Sequence, residues 1–405
     1  GVAWVVGNSH KAAIASLLAE DAARPAAAFL PLDTLRSRQL LAIESDLRPL
    51  GSVVLPPEDA RRAAAGPATL VGDIAAQRQL AAAAFFGGSV EDRTRPNLKI
   101  QDGCNNRCSF CIIPSVRGFS RSLPAAEVLS QIRALCGAGY REVVLSGVNL
   151  GQYGRDLRGH PRLVELVQLI LEQTPLERLR LSSVEPLDFT DPLLNLMAST
   201  SRIARHVHAP LQSGSDRILR RMRRKYCAAQ YCERIAAARD RMPDAAFGAD
   251  VIVGFPGETG EDFDATLRLI EELPFSYLHV FPFSRRPGTP ADRLREQIPA
   301  AVARERGRVL RELAAEKNRC FRERHIGKTL RLLTLGESSP AGTLALSDNY
   351  LRVVVRGEAL PANQWVEARI AGMDDGSLFA TRAVDGAAPQ RRKELSPSMR
   401  TCASA

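Results

Sequence analysis

Three closely spaced cysteines are the residues of this sequence best suited to chemistry. Cys104, Cys108 and Cys111 form a C-x3-C-x2-C pattern in a predicted loop. Cysteine thiolates hold iron–sulfur clusters, and a four-iron cluster ordinarily takes four of them. Three thiolates with no fourth nearby leave one iron open, as catalytic metal sites keep one coordination position free. The pattern therefore predicts a catalytic iron–sulfur site.

A structural zinc ion is the alternative for this loop, with a distant His or Cys completing the site. Such sites normally match one C-x2-C pair with a second pair. Cys227 and Cys232 have the wrong spacing for that role, and Cys136 lies on an apolar helical face where a buried, small hydrophobic residue is expected. The open cluster is the favoured interpretation.

The composition is that of an ordinary globular protein. The 405 residues are 45% hydrophobic and 25% charged, which excludes a largely disordered or fibrous chain. No apolar run approaches the roughly 18 residues needed to cross a bilayer, and residues 1–7 do not resemble a secretory signal. We expect a cytoplasmic protein without a membrane partner. The net charge of +10 favours an anionic partner such as nucleic acid, although excess charge also serves solubility alone.

The cysteine loop directly follows the first of six predicted strands, which alternate with helical patterns. The strands are predicted at 97–100, 142–145, 178–181, 206–209, 249–253 and 277–281. Parallel strands joined by helices indicate an α/β fold. A partial or complete βα barrel fits this pattern better than an open sheet, although spacing alone does not separate them.

Two further regions follow the predicted barrel. A charged helix is predicted at 300–324, and after it come five short strands at 330–335, 344–346, 351–355, 365–370 and 377–381. Five short strands in so little chain predict a small β-barrel. Residues 386–405 are expected to be a disordered basic tail, and residues 1–92 read as the end of an α/β domain.

The C-x3-C-x2-C loop resembles that of the radical S-adenosylmethionine (SAM) enzymes. The resemblance implies a partial (β/α)6 barrel and a [4Fe-4S] cluster whose open iron binds the amino and carboxylate groups of SAM. One electron would cleave SAM to methionine and a 5′-deoxyadenosyl radical. Phe110 matches the residue that lies near the adenine, although it could simply pack within the loop.

Other candidate cofactor-binding residues lie at predicted strand ends, where barrel active sites form. The resemblance places SAM beside Gly147 and Asn149 after the second strand and beside Gly254 after the fifth. Glu185, Gln212 and Arg286 suit the SAM ribose and carboxylate or the substrate, although each alone could be a satisfied structural residue. His206 and His208 share one strand face, where we expect hydrogen bonds rather than a metal ion.

Longer motifs resemble the methylthiotransferases, which replace C–H with C–SCH3. They lie at 180–186, 206–215, 223–226 and 284–290, and the resemblance spans nearly all of residues 93–385. The small barrel resembles a TRAM domain, an RNA-binding module. Residues 347–353 resemble the branch that acts on tRNA bearing N6-threonylcarbamoyladenosine. The candidate RNA-binding residues are Tyr350, Arg352, Arg223, Arg224 and Lys225, with an ordinary core face or helix-end charges as the alternative.

One departure from the family concerns the N-terminal region. Full methylthiotransferases carry three further cysteines there, which bind a second [4Fe-4S] cluster that takes part in sulfur delivery. This sequence has no cysteine before Cys104, and residues 5–8 resemble the family just beyond those ligands. We expect an N-terminal truncation, one cluster, and no complete sulfur insertion by the chain as given.

The resemblance implies a tRNA methylthiotransferase with four regions. These are a truncated N-terminal α/β domain (1–92), a radical SAM core (93–324), a TRAM-like barrel (325–385) and the tail (386–405). The implied reaction is methylthiolation of C2 of N6-threonylcarbamoyladenosine at position 37, with tRNA, an electron donor and a sulfur source as partners. The alternatives are isopentenyladenosine in tRNA, a ribosomal-protein aspartate, or a non-catalytic RNA-binding protein with a structural metal site.

Overall fold

A computed structural model describes residues 4–6, 68–70, 74, 80, 94–339, 341–357, 359–374 and 376–382. Two short strands, β1 (Trp4–Val6) and β2 (Ala68–Leu70), pair in parallel. The predicted tail, 386–405, and most of the predicted N-terminal domain lie outside the described residues. Among those described, no helix combines the length and apolar character needed to cross a bilayer.

Six parallel strands form the wall of the large domain. They are β3 (Asn97–Asp102), β5 (Glu142–Gly147), β6 (Arg178–Leu181), β7 (His206–His208), β8 (Ala246–Val253) and β9 (Tyr277–Pro282). β3, β5 and β6 pair in that order, as do β7, β8 and β9. An isolated bridge joins Leu179 of β6 to Ile203, which lies three residues before β7. This is the partial barrel that the resemblance to the radical SAM enzymes implies. The sequence did not predict the two-residue strand β4 (Arg121–Ser122), antiparallel to β3.

Helices return the chain between the parallel strands, and the last helix leads from β9 to the small barrel. They are α1 (Ile113–Arg117), α2 (Ala125–Gly137), α3 (Leu163–Gln173), α4 (Asp191–Ser199), α5 (Asp216–Arg221), α6 (Ala228–Arg241), α7 (Gly260–Glu272) and α8 (Ala300–Glu323). Short 3-10 turns lie at Leu150–Gln152, Pro186–Asp188 and Pro290–Arg293.

The two faces of the barrel strands differ in polarity because side chains alternate along a strand. In β8, Phe247, Ala249, Val251 and Val253 are buried in the apolar core that includes residues of the surrounding helices. Asp250 lies on the opposite face, where it contacts His208 of β7. The outer face therefore holds the fold together, and the inner face is left for polar groups.

The C-terminal strands close into the small barrel that the sequence predicts. They are β10 (Thr329–Ser339), β11 (Gly342–Leu346), β12 (Arg352–Arg356), β13 (Trp365–Asp374) and β14 (Ser377–Arg382). The strands pair around the barrel in the order β10, β11, β12, β14, β13, and only the β12–β14 pair is parallel. Val353, Val355, Ile370 and Leu378 belong to its core.

A loop of the small barrel docks on the N-terminal ends of the large-barrel strands. The Arg180 guanidinium of β6 donates to the carbonyl oxygens of Ser347 (3.1 Å) and Asp348 (2.9 Å). The Tyr350 ring stacks on His206, with 4.7 Å between ring centroids. Asn349 donates to the Asp244 carbonyl at 2.9 Å. The segment 347–350 therefore fixes the small barrel to the opposite end of the large barrel from the cysteine loop.

Candidate active site

The cysteine loop begins where β3 ends, at the carboxyl edge of the barrel. Gly103 makes the turn with a φ of +71°, and a Cβ there would lie 2.0 Å from the Phe119 carbonyl oxygen. Cys104 N–H then donates to the Gly118 carbonyl at 3.1 Å. This approach leaves room only for glycine and fixes the first cysteine at the strand end.

Two distant segments hold the middle of the loop through Ser109. Its hydroxyl donates to the Arg221 carbonyl at 2.8 Å, and its N–H donates to the Met222 carbonyl at 3.0 Å. Ala291 N–H donates to the Ser109 carbonyl at 2.8 Å. The loop is therefore built into the end of α5 and the 3-10 turn Pro290–Arg293, which restrains the positions of its cysteines.

The three thiols lie in a partly buried site that contains hydrogen-bond donors. Cys104 and Cys108 are buried, and Cys111 is half-buried. Asn106 N–H lies 3.4 Å from Cys104 Sγ, and an Arg224 Nη lies 3.2 Å from Cys108 Sγ. Burial raises the pKa of Cys104 and Cys111, and the neighbouring thiols raise it further. Because the Asn106 and Arg224 N–H donors stabilise a negatively charged sulfur, they suit cysteines that bind a cationic cluster as thiolates.

The spacing of the thiols does not match a single tetrahedral zinc ion. Tetrahedral zinc with Zn–S bonds of about 2.3 Å requires sulfur atoms about 3.8 Å apart. In the described part of the chain, no set of three ligand groups that includes these cysteines has all its ligand atoms within 4.8 Å. The three thiols are therefore not closed around a single tetrahedral zinc ion.

A buried amide beside Cys104 has an unused acceptor. Asn149 N–H donates to Gln101 Oε1 at 2.8 Å, and Asn149 Nδ2 lies 3.9 Å from Cys104 Sγ. Its Oδ1 is buried and has no partner among the described residues. A Cβ on Gly147 would lie 2.9 Å from Gln101 Oε1, so a larger residue there would push on the side chain that holds Asn149. An unpaired acceptor next to the cluster ligands fits the SAM ammonium group.

A buried ion pair lies against the second cysteine. The Arg224 side chain is 4% exposed and contacts both Glu185 and Cys108. Burial lowers the pKa of Arg224, but Tyr226, Glu185 and Cys108 raise it by more, so the guanidinium stays charged. Burial raises the pKa of Glu185, and Arg224 partly offsets this. A fixed positive charge thus faces the cysteine loop.

Of the remaining predicted cofactor residues, Phe110 lies in the cysteine loop, and Gln212, Gly254 and Arg286 follow β7, β8 and β9. Gln212 has a φ of +63°, an uncommon conformation for a residue other than glycine, and its N–H donates to the Asp250 carbonyl at 2.8 Å. Phe110 contacts the Phe255 ring edge-to-face, with 6.5 Å between centroids. Gly254 has a φ of +71°, and a Cβ there would lie 2.6 Å from Ala303 Cβ.

Arg286 is exposed on the loop after β9, where its carbonyl accepts from Thr289. That loop reaches the cysteine segment through the contact between Ala291 and Ser109. The structure shows no side-chain contact that joins Arg286 to the cysteines, so its part in cofactor binding stays a prediction.

The predicted RNA-binding residues separate into two groups. Arg223 and Lys225 are exposed and available for phosphate contacts. The interpretation of Arg224 as an RNA contact is wrong, because its side chain is buried between Glu185 and the cysteine loop.

Two of the five predicted RNA-binding residues lie on the small barrel. Tyr350 stacks on His206 yet remains 44% exposed. Arg352 is exposed and pairs with Glu337 at 2.7 Å. Their RNA contacts stay a prediction, and Tyr350 has a docking role as well.

Sequence analysis missed the contacts that support the loop from elsewhere in the fold. The Gln152 side chain contacts Asn105 N–H at 3.0 Å and Asn106 Oδ1 at 3.1 Å. Gln152 is buried, although it lies in the polar segment after β5. The sequence offered one signal for a role of Gln152 in the site: it follows a predicted strand, three residues after Asn149.

The comparisons with known proteins agree with this geometry. Residues 98–270 match the Radical SAM superfamily. The threonylcarbamoyladenosine tRNA methylthiotransferase MtaB of Rickettsia prowazekii is 38% identical over 294 residues, which are 72% of this chain and 68% of that protein. MtaB of Bacillus subtilis is 40% identical over 270 residues, 66% of this chain and 60% of that protein.

A relative with another name is similar over a comparable length. The tRNA-2-methylthio-N(6)-dimethylallyladenosine synthase of Desulfitobacterium hafniense is 36% identical over 299 residues, 73% of this chain and 67% of that protein. The chain thus spans 60 to 68% of the length of these three relatives. A radical SAM domain uses a [4Fe-4S] cluster and SAM, and the three cysteines and Asn149 fit both groups. The chain belongs to the radical SAM tRNA methylthiotransferase family, and within it to the MtaB type.

Proposed function

We propose that this protein methylthiolates C2 of N6-threonylcarbamoyladenosine at position 37 of tRNA. The observation that carries the proposal is the cysteine loop at the barrel edge, with its buried donors and the unpaired Asn149 acceptor. The substrate rests on relatives named threonylcarbamoyladenosine tRNA methylthiotransferase, one of them 38% identical over 294 residues. The resemblance of residues 347–353 to the same branch supports it.

The described residues have separable roles in this reaction. Cys104, Cys108 and Cys111 would hold the cluster, and the Asn149 acceptor would orient the SAM amino group. When bound, the cluster supplies the electron that cleaves SAM to methionine and a 5′-deoxyadenosyl radical. Arg224 keeps a fixed positive charge beside Cys108 and holds Glu185 in place.

The proposed macromolecular partner is tRNA. Arg223 and Lys225 are exposed beside the buried Arg224, so they supply positive charge next to the site. Phosphate contacts of this kind position RNA without reading its sequence. An electron donor and a sulfur source complete the proposed set of partners.

Nucleoside mass spectrometry tests the substrate. A strain that lacks the gene should lose 2-methylthio-N6-threonylcarbamoyladenosine from its tRNA and accumulate the unmethylthiolated nucleoside. The full gene should restore it, and a Cys108→Ala variant should not. Persistence of the methylthiolated nucleoside in the deletion strain would refute the proposed substrate.

Isopentenyladenosine in tRNA is the second candidate substrate. It is supported by the dimethylallyladenosine synthase of Desulfitobacterium hafniense, which is 36% identical over 299 residues. The same mass-spectrometric experiment separates the two, because each substrate gives a methylthiolated nucleoside of different mass. Loss of 2-methylthio-isopentenyladenosine alone would favour this candidate.

A further inference from the structure

Three potential metal ligands meet on the inner face of the large barrel, outside the cysteine loop. His208 of β7, Asp250 of β8 and His279 of β9 lie on three neighbouring strands. Asp250 Oδ1 is 3.2 Å from His208 Nε2 and 3.1 Å from His279 Nδ1. One ligand atom from each residue lies within 4.8 Å of the other two.

Strand register explains why these side chains converge. Asp250 and His279 are directly paired residues of the parallel strands β8 and β9, and His208 pairs with Gly248, two residues before Asp250. Residues two apart on a strand share a face. All three side chains therefore project from the same surface, and the Tyr277 ring lies over Gly248, where a Cβ would be 2.0 Å from it.

A second group orients one of the histidines. The Tyr277 hydroxyl lies 3.3 Å from His208 Nδ1, the ring nitrogen that does not face Asp250. The same hydroxyl contacts His206 Nε2 at 2.7 Å. A hydrogen bond at the far ring nitrogen is the usual support of a metal-ligating histidine, because it fixes the ring orientation.

We propose that His208, Asp250 and His279 bind one divalent transition-metal ion. Two imidazoles and one carboxylate form a ligand set that zinc and non-haem iron(II) accept. Metal bonds of about 2.0 to 2.2 Å in tetrahedral geometry place neighbouring ligand atoms about 3.3 to 3.6 Å apart, a few tenths of an ångström beyond the observed separations of 3.2 and 3.1 Å from Asp250. Three protein ligands leave a position for water or an oxygen anion.

The site is reachable from solvent. The His279 side chain is 52% exposed and that of Asp250 is 27% exposed, whereas that of His208 is 11% exposed. One ligand is therefore fixed in the interior, and the other two are accessible to an incoming ion. This combination suits a site that exchanges its metal.

Cobalt(II) titration of the full chain tests the proposal. The protein is first loaded with its cluster under anaerobic conditions, so that the loop thiolates are occupied, and the cluster is kept in its EPR-silent oxidised state. Bound high-spin Co²⁺ is then counted by low-temperature EPR. We expect one Co²⁺ per chain, with at least tenfold weaker binding in His279→Ala.

The control is His160→Ala, which removes an exposed histidine whose ring contacts the Arg155 carbonyl. It should bind Co²⁺ as the wild type does. Asp250→Asn keeps the shape of the side chain and serves as the second ligand variant, with equal cluster content checking that it folds. The proposal would be overturned if the wild type bound no Co²⁺, or if His279→Ala and Asp250→Asn both bound it as tightly as the wild type. The three residues would then be a hydrogen-bonded triad.

Discussion

Replacing Glu142 by glutamine tests the charged cluster beneath the large barrel. The Glu142 carboxylate is fully buried, and it accepts from Arg180 Nε at 2.8 Å and Arg178 Nη1 at 3.3 Å. Those side chains are themselves only 3% and 4% exposed. Both arginines also donate to small-barrel carbonyls, Arg180 to Ser347 and Asp348, and Arg178 to Arg331.

The expected loss follows from leaving two buried guanidinium groups without a counter-charge. Breaking a buried ion pair by removing one partner costs about 3 to 5 kcal/mol. For a denaturant sensitivity of about 3 kcal/mol per molar urea, the urea midpoint should fall by about 1 to 1.7 M. Cleavage by added protease at the junction 324–329 should also become faster, because the docking arginines lose their anchor.

The pH dependence of this loss has a definite sign. Burial raises the pKa of Glu142, but Arg180 and Arg178 lower it by more, so it lies below the ordinary 4.5. A carboxyl with a depressed pKa stabilises the fold above its ordinary pKa and loses that contribution as pH falls. The difference between wild type and Glu142→Gln should be full at neutral pH and shrink below the ordinary value.

Glu177→Gln is the matched control. Glu177 also pairs with two arginines, Arg141 at 2.6 Å and Arg331 at 3.0 Å, but its side chain is 36% exposed. Half-exposed pairs contribute about 1 kcal/mol or less. Urea denaturation of the three proteins under the same anaerobic conditions measures both effects. Equal shifts in the two variants, or no shift in Glu142→Gln, would refute the reasoning.

Three further substitutions test local features. Gly103→Ala should reduce cluster content, because its Cβ would lie 2.0 Å from a carbonyl oxygen, whereas Gly159→Ala, with φ of +82° but open space, should not. Arg224→Met should weaken iron retention against a chelator by about 10- to 100-fold. The control variant Arg223→Met, which changes an exposed neighbour, should retain iron as the wild type does. Asp262→Asn should lower thermal stability at pH 7 but not in strong acid. Burial raises the pKa of Asp262, but hydrogen bonds from Arg217, Ser215 and Thr259 lower it by more. A carboxyl with a depressed pKa loses its contribution to stability as pH falls. Equal thermal midpoints at pH 7 would contradict the last.

The elements were predictable because their signals are local. The strand predicted at 178–181 matches β6, and the helix predicted at 300–324 matches α8 to within one residue. The strand predicted at 249–253 begins three residues earlier in the structure, because Ala246 and Gly248 on either side of Phe247 carry a weak strand pattern. The cysteine loop was equally local, since its ligands lie within eight residues of one another.

The supporting contacts were not predictable, because they depend on how distant strands pair. Arg224 lies within a run of basic residues that suggests a solvated surface, yet it is buried against Cys108, 116 residues earlier in the chain. His208 showed only a shared face with His206. The approach of Asp250 and His279 follows from the register of β8 and β9, which one sequence does not specify.

In the small barrel, too, the strands were predictable and the long-range contacts were not. Its five strands were visible from apolar runs separated by turn residues, but the docking role of segment 347–350 was not. Tyr350 was predicted to be available for stacking on RNA, and the structure places its ring on His206. An exposed aromatic residue in one module becomes a docking contact only when the other module is present.

The most direct test of the central claim is the iron content and SAM cleavage of the chain. The protein is reconstituted anaerobically with iron and sulfide, the iron is counted, and SAM and a reductant are added. The radical SAM site predicts about four irons per chain and formation of 5′-deoxyadenosine, with both lost in Cys108→Ala. About one zinc per chain and no SAM cleavage would contradict it.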